Sequence, residues 1–412
     1  MPPPQNEHSP ALPDPGGHPD PAALRDTAAP RDDAALLDRA APPDPASPAM
    51  GELLVEAWRT GTLVLPLRED ASPVRLPGLH RSVLPASLSG RARVALAGVG
   101  ERFAAWRVTP QENSPVIVRI PHVTAEELHQ DLAHEIAALT LLPAEVGPEP
   151  IAVHDDPENS PLGHPYVVTS EIPGTAAAPA TWTGAHLRAH AQHLARLHAV
   201  AAPGRGPVTL GADPWAAVAP GPQHLLPEVD EEVASWRAAH GAVIDEHGLS
   251  PLLEAAVDLV AGIEEQMVQL DGFVLAHGDL CATNILWNGR DDETGLPRVQ
   301  YIDFEWAQGD DPARDLAILG GAVHGGPWYV PLDEDGVSAF VGAYVQARGE
   351  HGEVPASVAD LPSLRERMRA WTAYERSAML VHIASRAATR ASHRRVLPRL
   401  RGTLAATLGV PD

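Results

Sequence analysis

The stretch HGDLCATNILW at 277–287, followed by YIDFEWAQGDDPARDLA at 301–317, carries three oxygen donors in an order that suits metal-assisted phosphoryl transfer. Asp279 can receive or orient the proton of an attacking hydroxyl, and Asn284 offers a carbonyl oxygen to a magnesium ion. Asp303 follows a short β-like run from Val299 to Ile302, which would hold it rigidly as the second metal ligand. Oxygen donors on two adjacent strand ends suit a hard cation that keeps several waters and is bound mainly through nucleotide phosphates.

Each of these residues has a plainer reading when taken alone. An Asp after a His-Gly turn, or at a strand end, commonly does no more than satisfy local backbone N–H groups. Their joint order is what selects the chemistry: an Asp-Leu-x-x-x-Asn step followed by a strand-borne Asp is the arrangement of a kinase catalytic loop. His277 is read as a structural pin for that loop. Cys281 is read as a small filler, since no neighbour in sequence would activate its thiolate. His190, His193 and His198 do not fall on one helical face, so they are taken as solvated or structural rather than as metal ligands.

The elements that must position these groups follow from periodicity. Residues 1–48 are crowded with Pro, Ala and Asp and are expected to be a disordered leader, with Met50 a conceivable alternative start. A short helix around Leu53–Trp58 and a strand from Leu63 to Leu67 come next. Arg93 to Leu96, Phe103 to Val108 and Val116 to Ile120 alternate as three antiparallel strands, with Gly98 and Gly100 in AGVGERF between the first two. A helix is expected from about Ala125 to Leu142, N-capped by Thr124, then strands at Ile151–Val153 and Tyr166–Glu171. Pro173 and Gly174 break the chain. Beyond them the pattern is helical at Ala185–Val200 and Leu252–Leu270, with Pro-rich loops between, and again near 334–348, 362–391 and 396–408. The expected fold is α+β and bilobal, with a β-rich nucleotide-binding lobe over 49–171 and a mostly helical catalytic and acceptor-binding lobe over 172–412.

Within that frame the two glycines let backbone N–H groups approach phosphates. Arg119, on the third strand, stands where a kinase clamps phosphates, and it can fork onto their oxygens. Glu135, on the following helix, is its expected acidic partner. After Asp303 a helix start at Asp311-Pro312 arrives within a few residues, which leaves no room for a protein kinase's activation loop. The acceptor is therefore expected to be a small-molecule hydroxyl, with Asp315 bracing the catalytic loop from that helix.

Composition narrows the partners. A net charge of −24 argues against nucleic-acid binding. No apolar run approaches a membrane span, and no secretion signal opens the chain, so a soluble cytoplasmic protein without membrane contact is expected. One cysteine excludes an internal disulfide and a cysteine-built zinc site. All 30 basic residues are arginine, for which biased genome composition is the simplest cause. Ten of them follow Leu361, and they are expected to line polar helix faces and pair with the acidic body.

HGDLCATNIL and IDFEWAQGDDPARDLA, together with VIVRIP at 116–121, YVVTSEIPG at 166–174 and HLARLHAV at 193–200, resemble the aminoglycoside phosphotransferase and choline kinase group, which has a protein-kinase-like fold. The resemblance spans about residues 91–320. It implies Asp279 as the catalytic aspartate and Asn284 and Asp303 as magnesium ligands. Arg119 takes the phosphate-clamping position, and backbone groups of Ser170 and Ile172 contact the purine of ATP or GTP. The expected activity is phosphorylation of a hydroxyl on an aminoglycoside-like antibiotic or related metabolite. A choline- or sugar-type metabolite kinase and a catalytically silent kinase-like binding module are the alternatives, and a protein kinase is a more distant one.

Overall fold

The computed structural model describes residues 41–63, 90–111, 114–128 and 130–411. The first helix, α1 (Pro48–Thr60), starts where Ser47 accepts a hydrogen bond from the Met50 N–H and ends at Gly61 in a left-handed turn (φ 75°). Its buried stripe of Met50, Leu54, Ala57 and Trp58 packs on an antiparallel five-stranded sheet. The strands are β1 (Ala92–Val99), β2 (Phe103–Pro110), β3 (Val116–Pro121), β4 (Pro150–His154) and β5 (Tyr166–Ser170), in the order β1-β2-β3-β5-β4. Residues 43–47, expected in the leader, already belong to this packing. Trp106 Nε1 donates to the Pro45 carbonyl (2.7 Å), and His164 Nε2 bonds the Pro43 carbonyl (2.9 Å). Composition gave no sign of this, because proline carbonyls accept hydrogen bonds whether or not their segment has a core of its own. Residues 1–40, and the expected Leu63–Leu67 strand beyond Leu63, lie outside the described residues.

On the sheet's other face lies α2 (Leu132–Leu141), where Ile136 joins Phe103 and Val167 in a second core. The single helix expected over Ala125–Leu142 is in fact split. Thr124 caps only a 3-10 turn at Ala125–Glu127, and Asp131 restarts the helix by accepting from the His134 N–H (2.8 Å). A second capping side chain inside a helical pattern favours restarting over continuing.

The rest of the chain is largely helical. After β6 (Thr175–Ala176) come α3 (Gly184–Leu197), β7 (Ala201–Ala202), β8 (Gly206–Pro207), α4 (Leu226–Glu246) and α5 (Ser250–Val268). The catalytic segment follows as β9 (Phe273–Ala276), β10 (Ile285–Arg290), β11 (Pro297–Tyr301), β12 (Gln308–Asp310) and α6 (Pro312–Ile318). The pair β13 (Gly320–Gly321) and β14 (Val330–Pro331) leads to α7 (Glu334–Gly349), α8 (Ala356–Ala359), α9 (Leu361–Arg386) and α10 (Ala391–Leu408). Helix α4 falls where Pro-rich loops were expected. Only Val229, Val233 and Ile244 of its residues are buried, and His240 kinks it, so it shows little apolar period. No described helix is long and apolar enough to cross a membrane.

The arginines of the C-terminal segment divide into two groups. Arg365 pairs with Glu334 (2.5 Å) and Arg386 with Glu101 (2.6 Å), as the charge asymmetry suggested. Arg367 and Arg376 depart from the expectation of a polar face, because both are buried. Arg367 meets Asp311 (2.9 Å), and Arg376 donates to the carbonyls of Ala317 and Ile318 (both 2.9 Å).

Candidate active site

Strand register explains why residues distant in sequence meet. Strands β10 and β11 pair antiparallel with Ile285 opposite Tyr301, and the Ile302 N–H donates to the Asn284 carbonyl (3.0 Å). Asn284 and Asp303 are therefore neighbours at the same sheet end. Asp303 itself is left-handed (φ 71°), one of two such non-glycine residues among those described. Strained backbone of this kind concentrates at functional sites. The turn swings Glu305 back towards Arg119.

The loop ahead of β10 is pinned from beneath. His277 Nε2 faces the Ile302 carbonyl (3.0 Å), and His277 Nδ1 accepts from the Asp279 N–H (3.3 Å). A carbonyl can only accept, so the ring proton sits on Nε2; burial holds the imidazole below its usual pKa. Asp315 accepts from the His277 and Gly278 N–H groups (2.7 and 2.9 Å) and from His198 Nε2 (3.0 Å). The expected brace is thus present. His190, His193 and His198 are buried rather than solvated, as ring partners of the same core.

Gly278 has no substitute. Its φ is +79°, and a Cβ there would collide with the carbonyl of Trp306. Gly278→Ala is expected to cost about 2–4 kcal/mol, combining backbone strain with overlap. A urea midpoint unchanged from wild type would show that the loop has slack this geometry denies.

Asp279 lies at the wall of a cavity of about 1390 Å³. Its carbonyl and its Oδ2 both accept from Asn284 Nδ2 (2.8 and 3.0 Å). Burial, followed by repulsion from Asp303, Glu375 and Glu305, pushes its carboxyl up to about 8. The same cavity is lined by Gly100, Arg119, Glu135, Ser170, Ile172, Asn284 and Asp303. Gly98 does not line it and sits at a bulge in β1 with open space where a Cβ would go. The Ser170 hydroxyl is turned to the Glu149 N–H (2.9 Å).

Arg119 is shared among three carboxylates. Nη1 meets Glu135 (2.6 Å) and Nη2 meets Asp303 (2.8 Å), with Glu305 at 3.8 Å and the Phe103 ring centroid at 4.5 Å. Burial opposes the guanidinium charge, but the surrounding carboxylates outweigh it and raise the pKa further. The acids outnumber the cation, and burial with this crowding lifts Glu305 to about 7. Glu305 was visible in sequence, but its reach depends on the left-handed turn at Asp303, which no spacing rule supplies. Removing the guanidinium would strand the buried Glu135, so Arg119→Met is expected to destabilise the fold by about 3 kcal/mol. Chemical denaturation of the two proteins measures it, and equal stability would mean that the pair contributes nothing net.

The donor set fits magnesium. Asn284 Nδ2 must face the Asp279 carbonyl, which directs Oδ1 to any cation; the Asp303 carboxylate lines the same cavity, with its Oδ1 2.8 Å from Arg119 Nη2. No group of three or more His, Cys, Asp or Glu among the described residues forms a closed cage. Magnesium usually takes one or two protein oxygens, completed by waters and phosphates.

No curated protein matches the chain. Among solved structures, one from Ralstonia eutropha provisionally assigned as an aminoglycoside phosphotransferase is 13% identical and superposes with a TM-score of 0.51, over 78% of this chain and 92% of that one. A provisionally assigned fructosamine-3-kinase from Thermobifida fusca is 18% identical (TM-score 0.47; 78% and 95% coverage). An ethanolamine kinase from Plasmodium vivax is 12% identical (TM-score 0.47; 77% and 82% coverage). This chain has the protein-kinase-like fold, with its five-stranded sheet ahead of a mostly helical remainder, and the first of these structures shares that fold. The sequence profile of the phosphotransferase enzyme family matches residues 93–370, well over half of the 412, and the chain belongs to that family.

Proposed function

We propose that this protein transfers the γ-phosphoryl group of ATP or GTP, with magnesium, to a hydroxyl of an aminoglycoside-like antibiotic or a related small metabolite. The observation that carries the reading is the convergence of Asp279, Asn284, Asp303 and the Arg119–Glu135 pair on one cavity. Magnesium would be held by Asn284 and Asp303, and when bound it neutralises charge on the donor phosphates. In its ionised form Asp279 orients the acceptor hydroxyl and takes its proton late, because a loose transition state asks for little early deprotonation. Ser170 and Ile172 offer backbone groups to the purine, and Gly100 lets the hairpin approach the phosphates. Most of the acceleration then comes from positioning and charge complementarity.

The helical wall of the cavity favours a small acceptor. Trp236, Tyr374, Glu228 and Glu232 line it from α4 and α9, with Glu228 paired to Arg205 (3.0 Å) and Glu232 accepting from the Tyr374 hydroxyl (2.7 Å). Aromatic faces and carboxylates suit an amino sugar, whose C–H faces stack and whose ammonium groups pair. Arg314, in the same wall, is engaged by Asp310 (3.0 Å) and Glu375 (2.7 Å), so it does not repel such an acceptor as a free charge.

The test is to incubate the full chain with magnesium and labelled ATP or GTP across aminoglycosides, macrolides, choline and sugars. Label transferred to a hydroxylated small molecule supports the reading and identifies its subclass. Magnesium-dependent nucleotide binding without transfer to any acceptor would indicate a silent binding module, and label on generic proteins would indicate a protein kinase.

A further inference from the structure

The turn between β1 and β2 does not end in solvent. Glu101 at its tip reaches α9, where its Oε1 lies 2.6 Å from Arg386 Nη2 and its Oε2 lies 3.5 Å from His382 Nε2. His382 Nδ1 is in turn 2.8 Å from Arg386 Nη1, so the two α9 side chains present one joint surface to the carboxylate. Arg390 lies near enough to add to the field on Glu101, which is held at about 2 by the His382 hydrogen bond and these cations.

Beneath the tip, the His122 N–H donates to the Arg102 carbonyl (2.9 Å) and Arg102 Nε donates to the Glu127 carbonyl (3.2 Å), but neither contact reaches the helical part of the chain. Strand β1 forms the sheet edge, and from Leu96 to Val99 its residues are exposed, with Leu96 at 41% and Val99 at 56%. Gly100 closes the turn on the Phe103 carbonyl (2.8 Å). Segments with few buried apolar contacts open at low free-energy cost. Both ion pairs of Glu101 run to α9, and α9 also carries Glu375, Arg376, Met379 and His382 into the cavity wall.

We infer that Glu101 and Arg386, with His382, form a strap from the acceptor helix that holds the phosphate hairpin down over the nucleotide end of the cavity. Glu101 and Arg386 are positioning residues here, acting through the backbone of 98–103. The inference deepens the proposed function and rests on the nucleotide occupying that end. The pair is about one-third exposed on each side, so it adds little to global stability. What it sets is how often the hairpin is docked.

The test uses Glu101→Gln, Arg386→Gln and the charge swap Glu101→Arg with Arg386→Glu, all in the full chain. Hydrogen exchange of the 98–103 amides without nucleotide reads docking, and magnesium-ATP titration calorimetry reads positioning. Each single variant is expected to speed exchange and weaken ATP binding by about two- to fivefold with an unchanged melting temperature, and the swap to restore most of both. Unchanged exchange in all variants would overturn the strap whatever ATP does. Faster exchange with unaltered ATP affinity would overturn its role in positioning. A wild type whose exchange responds as expected but which binds no ATP would instead overturn the nucleotide reading on which that role rests.

Discussion

Asp279→Asn is expected to abolish phosphoryl transfer while making the protein more stable at neutral and alkaline pH. The loss in turnover should be about 10³-fold or more, within the range general acid–base groups supply. The substitution keeps the shape of the side chain and the Asn284 contact to the residue 279 carbonyl, so the loop has no cause to move. The stability gain follows from linkage. In the folded chain the Asp279 carboxyl titrates at about 8, against an ordinary value of 3.8. The native state therefore binds this proton more tightly than the unfolded chain does. Stability from the protonated group is fully present below 3.8 and is lost as pH rises through about 8. An asparagine carries no such penalty, so the advantage of the variant should grow from pH 4 to pH 8 and then level. Melting curves over that range, without metal or nucleotide, read it. If the variant retained transfer, the assignment of Asp279 would fall. If it lost transfer together with stability at every pH, Asp279 would be a structural residue. Opposed effects on activity and stability are what a site organised for function should show.

The sequence carried this part of the site for a physical reason. Asp279 and Asn284 lie in one short loop, and a single antiparallel register brings Asp303 to it, so spacing alone nearly determines their geometry. Arg119 and Glu135 were legible in the same way, since a strand followed by its covering helix leaves few choices of facing side. What escaped depends on tertiary closure. Glu305 reaches Arg119 only through a left-handed turn, and Glu101 meets Arg386 only because the hairpin tip folds onto the penultimate long helix. For His190, His193 and His198 the sequence left solvated and structural readings open, because a polar residue gives no apolar period, and their neighbours decide for the structural one by burying them. His190 bonds Tyr301, and His198 bridges Tyr344 and Asp315. The split before α2 and the unforeseen α4 share a cause: each departs from an amphipathic pattern where a cap or a solvated face, and not the core, decides the backbone.

The second large effect belongs to Asp315, where the same isosteric change should act in the opposite direction. Both carboxylate oxygens accept: Oδ1 from the Gly278 N–H, and Oδ2 from the His277 N–H and His198 Nε2. An asparagine must point its NH₂ at one of these donors, so Asp315→Asn cannot satisfy all three. Burial opposes the Asp315 charge, but the His198 hydrogen bond and the loop amides outweigh it and hold the carboxyl at about 2. His198 performs this as a neutral ring, since burial lowers its pKa; its Nε2–H points at Asp315, and Nδ1 accepts from the Tyr344 hydroxyl (2.8 Å). Asp315→Asn is expected to cost about 3–5 kcal/mol at neutral pH, the loss that follows when a buried charged acceptor deserts its donors. It should also lower turnover by about 100-fold, because the Asp279 backbone is released from its anchor. The linkage runs opposite to that of Asp279. A depressed carboxyl contributes stability that is present above about 3.8 and lost as pH falls towards 2, so the gap between wild type and variant should narrow in that window. Denaturant midpoints from pH 2 to pH 8 test this directly. A variant as stable as wild type at pH 7 would mean that the loop is held by His277 alone. A variant that loses stability, while Asp279→Asn gains it, would separate the residue that does the chemistry from the one that holds it in place.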